Sequence, residues 1–239
     1  MPMVRELHRI RSRLKQNGLP HYFLHPQHFI SYGRYLLYVL RQRWPAAQTM
    51  IFVLDMRLSN RSIDLNIPVH RISSHEPLMT FARAREQDDK DWPVGSYLGE
   101  IKQRFAAGDW CFCAEQDRRF VSVIFVSRGP CYLSPVDYML KIPDKAVGLY
   151  DVYTLAAYRG RHLYSVVFQA AINACIAEGY KSAWMWIMPD NIVSFSTHLK
   201  LGMRHIFCGI KLRQRWGFRR HRIHKLDLDA GKMLKERGF

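Results

Sequence analysis

The sequence predicts an α/β fold of the mixed α+β kind, on three observations. Ala146–Thr154, His162–Glu178 and Ser182–Met188 read as strand, helix and strand, with turn residues between them. Trp110–Glu115 and Phe120–Ser127 are two β-rich runs that form a hairpin around Gln116–Arg119. The chain has 239 residues, of which 48% are hydrophobic and 13% aromatic. That suits one large domain, or a domain with a sizeable extension, and excludes a disordered chain.

From the start of the chain, Met3–Gln16 reads as a helix with Val4, Leu7, Ile10 and Leu14 at helical spacing and arginines opposite. Asn17-Gly18-Leu19-Pro20 ends it. Such a helix packs its apolar stripe on the domain or lies on anionic lipid. His28–Arg43 is a second helix, stopped by Trp44-Pro45. Thr49–Leu58 is a strand, Ser59–Ser62 a turn, and Ile63–Ile72 a further strand or extended segment. Residues 1–66 are expected to be a basic N-terminal extension packed on a core of residues 67–239.

The core opens with a strand at Val69–Ile72 and a helix at Pro77–Gln87, followed by the acidic loop Glu86–Asp91. Ser96–Ala107 is the next helix, and Gly108-Asp109 turns the chain into the hairpin. Gly179 stops the long helix at Glu178. Asn191–Leu201 is a helix with Asn191 as a sensible N-cap and Gly202 as its close. Arg204–Leu212 and Arg219–Leu228 form a last strand pair around Trp216-Gly217. No internal repeat or low-complexity segment occurs.

Five cysteines, Cys111, Cys113, Cys131, Cys175 and Cys208, match no zinc spacing and mostly sit in apolar runs. They read as buried free thiols in a reducing compartment. Alternation puts the Cys111 and Cys113 sulfurs on one face of a strand. No apolar run approaches the ~20 residues that cross a bilayer, and Met1-Pro-Met-Val-Arg-Glu6 is not a secretory signal. A soluble cytoplasmic protein is expected.

Thirty-six Lys+Arg against twenty Asp+Glu give a net charge of +16. The excess gathers at Arg5–Lys15 and at Lys211–Lys225. An acidic carrier protein, an anionic membrane surface or nucleic acid would each answer such a charge.

Tyr153-Thr-Leu-Ala-Ala-Tyr-Arg-Gly-Arg-His-Leu-Tyr164 is a strand end, a tight Arg-Gly-Arg turn and a helix start. Such a turn converges backbone N–H groups, and the helix N-terminus adds roughly half a positive charge, so a phosphate or pyrophosphate is well held. Together with Asn191-Ile-Val-Ser-Phe-Ser-Thr-His-Leu-Lys-Leu-Gly202, this segment resembles the GNAT superfamily of N-acyltransferases, which cradle the pyrophosphate of coenzyme A on this turn. The family's turn usually reads Arg/Gln-x-x-Gly-x-Gly/Ala. Here Arg159, Gly160 and Arg161 fit a common variant, His162 replaces the first of the later glycines, and Tyr164 replaces the second.

The resemblance implies a twisted mixed sheet flanked by helices on both faces. It also implies an N-acyltransferase that moves an acetyl or longer acyl group from acyl-CoA to a primary amine. Donor-binding residues carried over are Val152, Tyr153, Thr154, Arg159, Gly160, Arg161, His162, Leu163 and Tyr164, with Asn191 and Ser194 at the second motif. Many members carry a Tyr seven residues after the motif Asn that protonates the departing thiol. His198 holds that position, and histidine titrates near neutrality. Asp151 is the carboxylate on the strand before the turn and the candidate general base, in a family where water chains often serve instead.

Two alternatives stand beside this reading: an acyl-carrier-protein-dependent enzyme making N-acyl amino acids, and a non-catalytic module of the same fold that binds RNA or membrane. A metal site is not expected, because His205, His221 and His224 stand among arginines that repel cations. The run Lys211–Lys225 interleaves aromatics with cations, which suits RNA, lipid headgroups, an acidic protein, or a hairpin with one wet face.

Overall fold

The computed structural model describes residues 47–59, 66–88, 95–215 and 218–236. The expected helices Met3–Gln16 and His28–Arg43 lie outside them. The β-rich segment begins the described chain as strand β1, Ala47–Arg57. It is followed by β2, Val69–Ile72, then by helices α1, Met79–Asp88, and α2, Ser96–Ala106. Strands β3, Trp110–Gln116, and β4, Arg119–Ser127, make the hairpin, whose two turn residues Asp117 and Arg118 both adopt positive φ. A small hairpin follows, β5, Cys131–Leu133, and β6, Tyr138–Leu140, bridged by a 3-10 turn at Ser134–Val136. Next come β7, Ala146–Thr154, α3, Leu163–Ala177, β8, Ser182–Ile187, and α4, Ile192–Lys200. The described chain ends with β9, His205–Arg215, β10, Phe218–Asp229, and α5, Ala230–Glu236.

Eight strands form one sheet in the order β10-β9-β1-β8-β7-β4-β3-β2. The β7–β8 pair is parallel and the other pairs are antiparallel, so the α/β mixed class expected from the sequence is the fold observed. The parallel pair needs the α3 crossover; among the antiparallel ones, β3–β4 is closed by a two-residue turn, β2–β3 spans the α1–α2 excursion, β4–β7 spans the β5–β6 hairpin, and β1 joins β8 and β9 from far along the chain. The expected boundary after residue 66 cuts through this sheet. Strand β1 lies between β8 and β9, pairing Phe52 with Ile187 on one side and Ile51 with Ile210 on the other. Ile51, Val53 and Leu54 are wholly buried, so residues 47–57 supply core and are not a layer added outside it.

Among the described helices, α3 carries the largest apolar face, burying Leu163, Val166, Val167, Phe168, Ala171, Ile172 and Cys175 against β2, β3, β4 and β7. Helices α1 and α2 pack where Phe81 meets Tyr153 and Phe105 meets Phe125. All five cysteines are free and buried, and the Cys111 and Cys113 sulfurs lie 3.5 Å apart on one face of β3. No helix among the described residues is long and apolar enough to cross a membrane.

Candidate active site

Strands β7 and β8 are paired only from Ala146–Leu149 against Ser182–Met185. Beyond Leu149 they part. β7 runs on to Thr154 against β4 alone, while β8 runs on to Ile187 against β1. The backbone edge of Tyr150–Thr154 that faces β8 therefore has no strand partner among the described residues and lines the opening between the two diverging strands. Tyr150 stacks on Trp186 across the start of this opening, 5.9 Å between ring centres at 17°. Its hydroxyl donates to Asp109.

A bulge sits at the point of divergence. Val123 pairs with Tyr153 and Phe125 with Tyr150, so Asp151 and Val152 together oppose Ile124. Asp151 has φ +47°, the left-handed region that non-glycine residues seldom occupy. Its carboxylate explains why the conformation persists. Oδ1 takes Arg85 at 2.7 Å, Oδ2 takes Arg104, and the Tyr97 hydroxyl donates to Oδ2 at 2.8 Å. The side chains of Asp151 and Arg104 are 12% and 15% exposed and that of Arg85 is 6% exposed, so this is a buried cluster. Both guanidiniums lie on aromatic rings, Arg85 at 4.1 Å from Tyr97 and 4.4 Å from Tyr153, Arg104 at 4.7 Å from Phe125.

This geometry argues against the expectation that Asp151 is a general base. Burial alone would raise its pKa, but Arg104 and Arg85 outweigh burial and hold the carboxyl well below the usual carboxylate range. A carboxylate so held has almost no tendency to accept a proton. Its visible role is to pin the bulge.

After β7 the chain makes a 3-10 turn at Ala156–Tyr158, then Gly160 and His162 both adopt positive φ, +78° and +58°. The left-handed backbone at His162 is the physical reason glycine suits this position; histidine adopts it at a cost of about 1–2 kcal/mol. His162 is also the N-cap of α3 and makes no side-chain capping bond. The first-turn N–H groups at Leu163, Tyr164 and Ser165 thus point out of the helix start without intrahelical acceptors. Arg159 braces the turn: Nε donates to the Thr154 carbonyl at 3.2 Å and Nη2 to the Tyr153 hydroxyl at 3.3 Å. Arg161 donates to the Ala157 carbonyl at 3.3 Å. Arg161 and Leu163 also line an open cleft of about 720 Å³ with His70, Glu115 and Arg118, whose walls take no residue from β7 or β8. Thr154 is fixed to Ser122 by a hydroxyl pair at 2.8 Å. Val152, Tyr153 and Thr154 are half-buried along that edge of β7.

The second motif is local in effect. Asn191 Oδ1 accepts the Ser194 N–H at 3.1 Å, so Asn191 caps α4. Ser194 Oγ lies 3.2 Å from His198 Nδ1, and the Ser194 carbonyl accepts the Nδ1 proton at 2.5 Å. That tautomer leaves Nε2 to accept the Tyr164 hydroxyl, 2.5 Å away. His198 is only 4% exposed, and burial lowers its pKa to about 4 against the smaller opposing pull of the Ser194 carbonyl. The same kind of geometry argues against the expectation of a proton donor at His198. The ring is neutral at physiological pH, carries no spare proton, and has both nitrogens engaged in the α3–α4 seam. Tyr164 packs on Phe168 and His198, and burial pushes its phenol far up.

Two of the histidines weighed as metal ligands have other partners. His205 lies between Asp55 at 2.6 Å and Asp227 at 3.1 Å, and His221 donates to the Val136 carbonyl at 2.8 Å.

Sequence reasoning missed Arg85, Arg104 and Tyr97. A signal was present: Tyr97, Ile101 and Arg104 follow i, i+4, i+7 spacing, and Arg85 follows Phe81 and Ala82 at i+4 and i+3. An arginine on the apolar stripe of a helix implies a buried anion. Glu86 was also missed; it caps α2 by accepting the Gly95 and Tyr97 N–H groups at 2.7 and 2.8 Å.

A parallel pair thus splays beside a bulge, and a helix start without a side-chain cap follows it. The model of the acetyltransferase (GNAT) family matches residues 70–203, and the chain belongs to that family. A comparison with curated protein sequences returned no match. Among solved structures, the chain is similar to a GNAT-family acetyltransferase from Novosphingobium aromaticivorans, with 13% identity over 69% of this chain and 63% of that one, at a TM-score of 0.49. It is also similar to an aminoglycoside N-acetyltransferase solved in complex with CoA, with 17% identity over 59% of this chain and 90% of that one, at a TM-score of 0.48. A third is an N-acetyltransferase from Staphylococcus aureus, with 16% identity over 59% and 85% of the two chains, at a TM-score of 0.44. The chain thus spans less than two thirds of the first of these relatives.

Proposed function

We propose that this acetyltransferase-family protein transfers an acyl group from acyl-CoA to a primary amine. The observation that supports the reading is the junction of two neighbouring features: the edge of β7 at Tyr150–Thr154 with no strand partner among the described residues, and the uncapped start of α3 at Leu163. The first offers backbone donors to an extended pantetheine and the second offers N–H groups and a dipole to a pyrophosphate. Arg159, Gly160, Arg161 and His162 shape the turn between them.

In this reading the amine lone pair forms a C–N bond at the thioester carbonyl. The oxyanion that results takes hydrogen bonds from backbone N–H groups beside the Asp151 bulge, at Val152 or Tyr153. Collapse breaks the C–S bond, the thiolate leaves with a proton, and the nitrogen loses one. Asp151 and His198 are both poorly suited to carry those protons, so water in the opening carries them. Asp151 serves as a positioning residue, because its two arginines hold the bulge that aims the donors.

The test uses the full chain. Coenzyme A at ~100 times its dissociation constant should stabilise the fold by about 2.7 kcal/mol. At about 2–4 °C per kcal/mol for a chain of this size, the melting temperature rises by about 5–11 °C. Acetyl-CoA with a panel of primary amines should then release free thiol. No thermal shift at millimolar coenzyme A and no thiol release from acetyl- or long-chain acyl-CoA would reject the reading.

A further inference from the structure

The β9–β10 ribbon has two unlike faces. In register, Arg220 stands opposite Arg213 and Arg222 opposite Lys211, so these four share one face, with His224 opposite Gly209 next in line. His221, opposite Leu212, and Ile223, opposite Ile210, share the other. Part of that second face is already occupied, although Ile223 stays 53% exposed. The β5–β6 segment packs on it through the His221 bond to Val136 and the Arg219 pair with Asp137.

The first face is a grid of four cations. Neighbours across the strands are about 5 Å apart at Cβ. Neighbours along a strand repeat at about 6.7 Å. Arg213, Arg220, Arg222 and His224 are exposed and Lys211 is half-buried. None of the four Lys/Arg side chains has an ion-pair partner among the described residues. The surrounding sequence offers none either, since no Asp or Glu occurs between Asp190 and Asp227. Like charges set directly across a ladder destabilise it. Protecting an edge strand from aggregation would need cations on β10 alone, the outermost strand, and not a matching pair on β9.

We infer that this face is a docking surface for the phosphate backbone of a nucleic acid. Three features select that partner. The cation repeat is regular and comparable with the spacing of successive phosphates along a strand. Three of the four cations are arginines, whose planar fork suits phosphate. The four positions at the centre of the grid are all cationic, and Met50, opposite Lys211, and Phe218, opposite Arg215, fall only at its borders, whereas a protein partner would need an apolar centre and a membrane surface would need residues to insert. Interfaces with nucleic acid are polar and strongly positive. The ribbon face also stands near the opening between β7 and β8: β1 carries both the Phe52–Ile187 pairing at the end of β8 and the Met50–Lys211 pairing.

The experiment measures fluorescence anisotropy of a labelled 20-nucleotide single strand and of a duplex against the full chain, over a salt series. The proteins are wild type and Arg213→Gln/Arg220→Gln. Each phosphate contact contributes about −0.7 to the slope of log K against log salt on a single strand and about −0.9 on a duplex. Removing two contacts should flatten the slope by about 1.4 or 1.8 respectively, and weaken binding at least tenfold at moderate salt. The melting temperature should hold or rise, because two like-charged neighbours are gone. The arm with the larger loss identifies single strand or duplex as the ligand. Unchanged affinity and slope in the variant would overturn the inference. So would a variant that keeps its oligonucleotide affinity while losing affinity for polyglutamate or for phosphatidylserine vesicles. Neither readout depends on acyl transfer.

Discussion

Replacing Asp151 by asparagine separates an anchor from a base. The substitution keeps size and shape, and asparagine tolerates the left-handed backbone that residue 151 adopts at φ +47°. What it removes is the charge between Arg85 and Arg104, whose side chains are 6% and 15% exposed. Breaking a buried ion pair from one side costs about 3–5 kcal/mol, because the partner charge stays buried. At about 2–4 °C per kcal/mol, the melting temperature should fall by about 6–20 °C. The pH dependence carries a second signature. Asp151 has a folded pKa below its unfolded value of about 3.9, so its contribution is present above that pH and is lost as pH falls further. Wild type should therefore lose more stability than Asp151→Asn below about pH 4. Calorimetry across pH 3–7, with turnover measured on the same samples, reads both effects. A variant that melts within 1 kcal/mol of wild type yet loses turnover a hundredfold would refute the anchor argument and restore Asp151 as base.

Three further outcomes follow from the same geometry. The His198 pKa, lowered from 6.5 to about 4, means the unfolded chain binds a proton that the folded one refuses. Stability from this site is complete above pH 6.5 and is lost towards pH 4, by about 3 kcal/mol in all, and His198→Leu should flatten denaturant midpoints across that window. At the same time, the pH–rate profile should show no limb near 6.5 that disappears with His198. At residue 162, with φ +58°, His162→Gly should fold at least as well as wild type, whereas the β-branched His162→Val should lose about 1–2 kcal/mol. Urea unfolding of the two variants ranks them. Inside β7, a Cβ added at Gly148 would sit 2.5 Å from the Cys131 sulfur. Gly148→Ala should cost about 1–3 kcal/mol, and adding Cys131→Ala should recover most of it in a double-mutant cycle.

Much of the fold was legible because its signals are local. The helix over Leu163–Ala177 shows in its apolar run, and the α4 start shows in Asn191, which caps it as the sequence indicated. The β3–β4 hairpin and the β9–β10 pair fall within a few residues of their expected limits. Strand Ala47–Arg57 was read as a strand, but its place between β8 and β9 depends on pairing with residues more than a hundred positions away. The hairpin over Cys131–Leu140 went unseen because its strands are three residues each, too short for periodicity, and Ser134-Pro-Val136 reads as loop.

At the site, the turn over Arg159–Tyr164 was legible because backbone geometry there is written in residue type: Gly160 takes φ +78°. The chemistry was less so. Asp151 and His198 were chosen by residue type and position, and their protonation is decided by neighbours that sequence order hides. Arg85 and Arg104 are 66 and 47 residues from Asp151, and Tyr164 meets His198 from another helix. A titratable side chain acquires its pKa from tertiary packing, which periodicity does not encode.

Under the proposed function, the turn before α3 holds coenzyme A. Isothermal titration of coenzyme A into wild type and into Gly160→Pro tests it most directly, since proline fixes φ near −65° where the backbone stands at +78°. The account predicts saturable one-to-one binding to wild type, weakened at least tenfold in the variant, whose circular dichroism stays close to wild type. Equal affinity in the two proteins would contradict it.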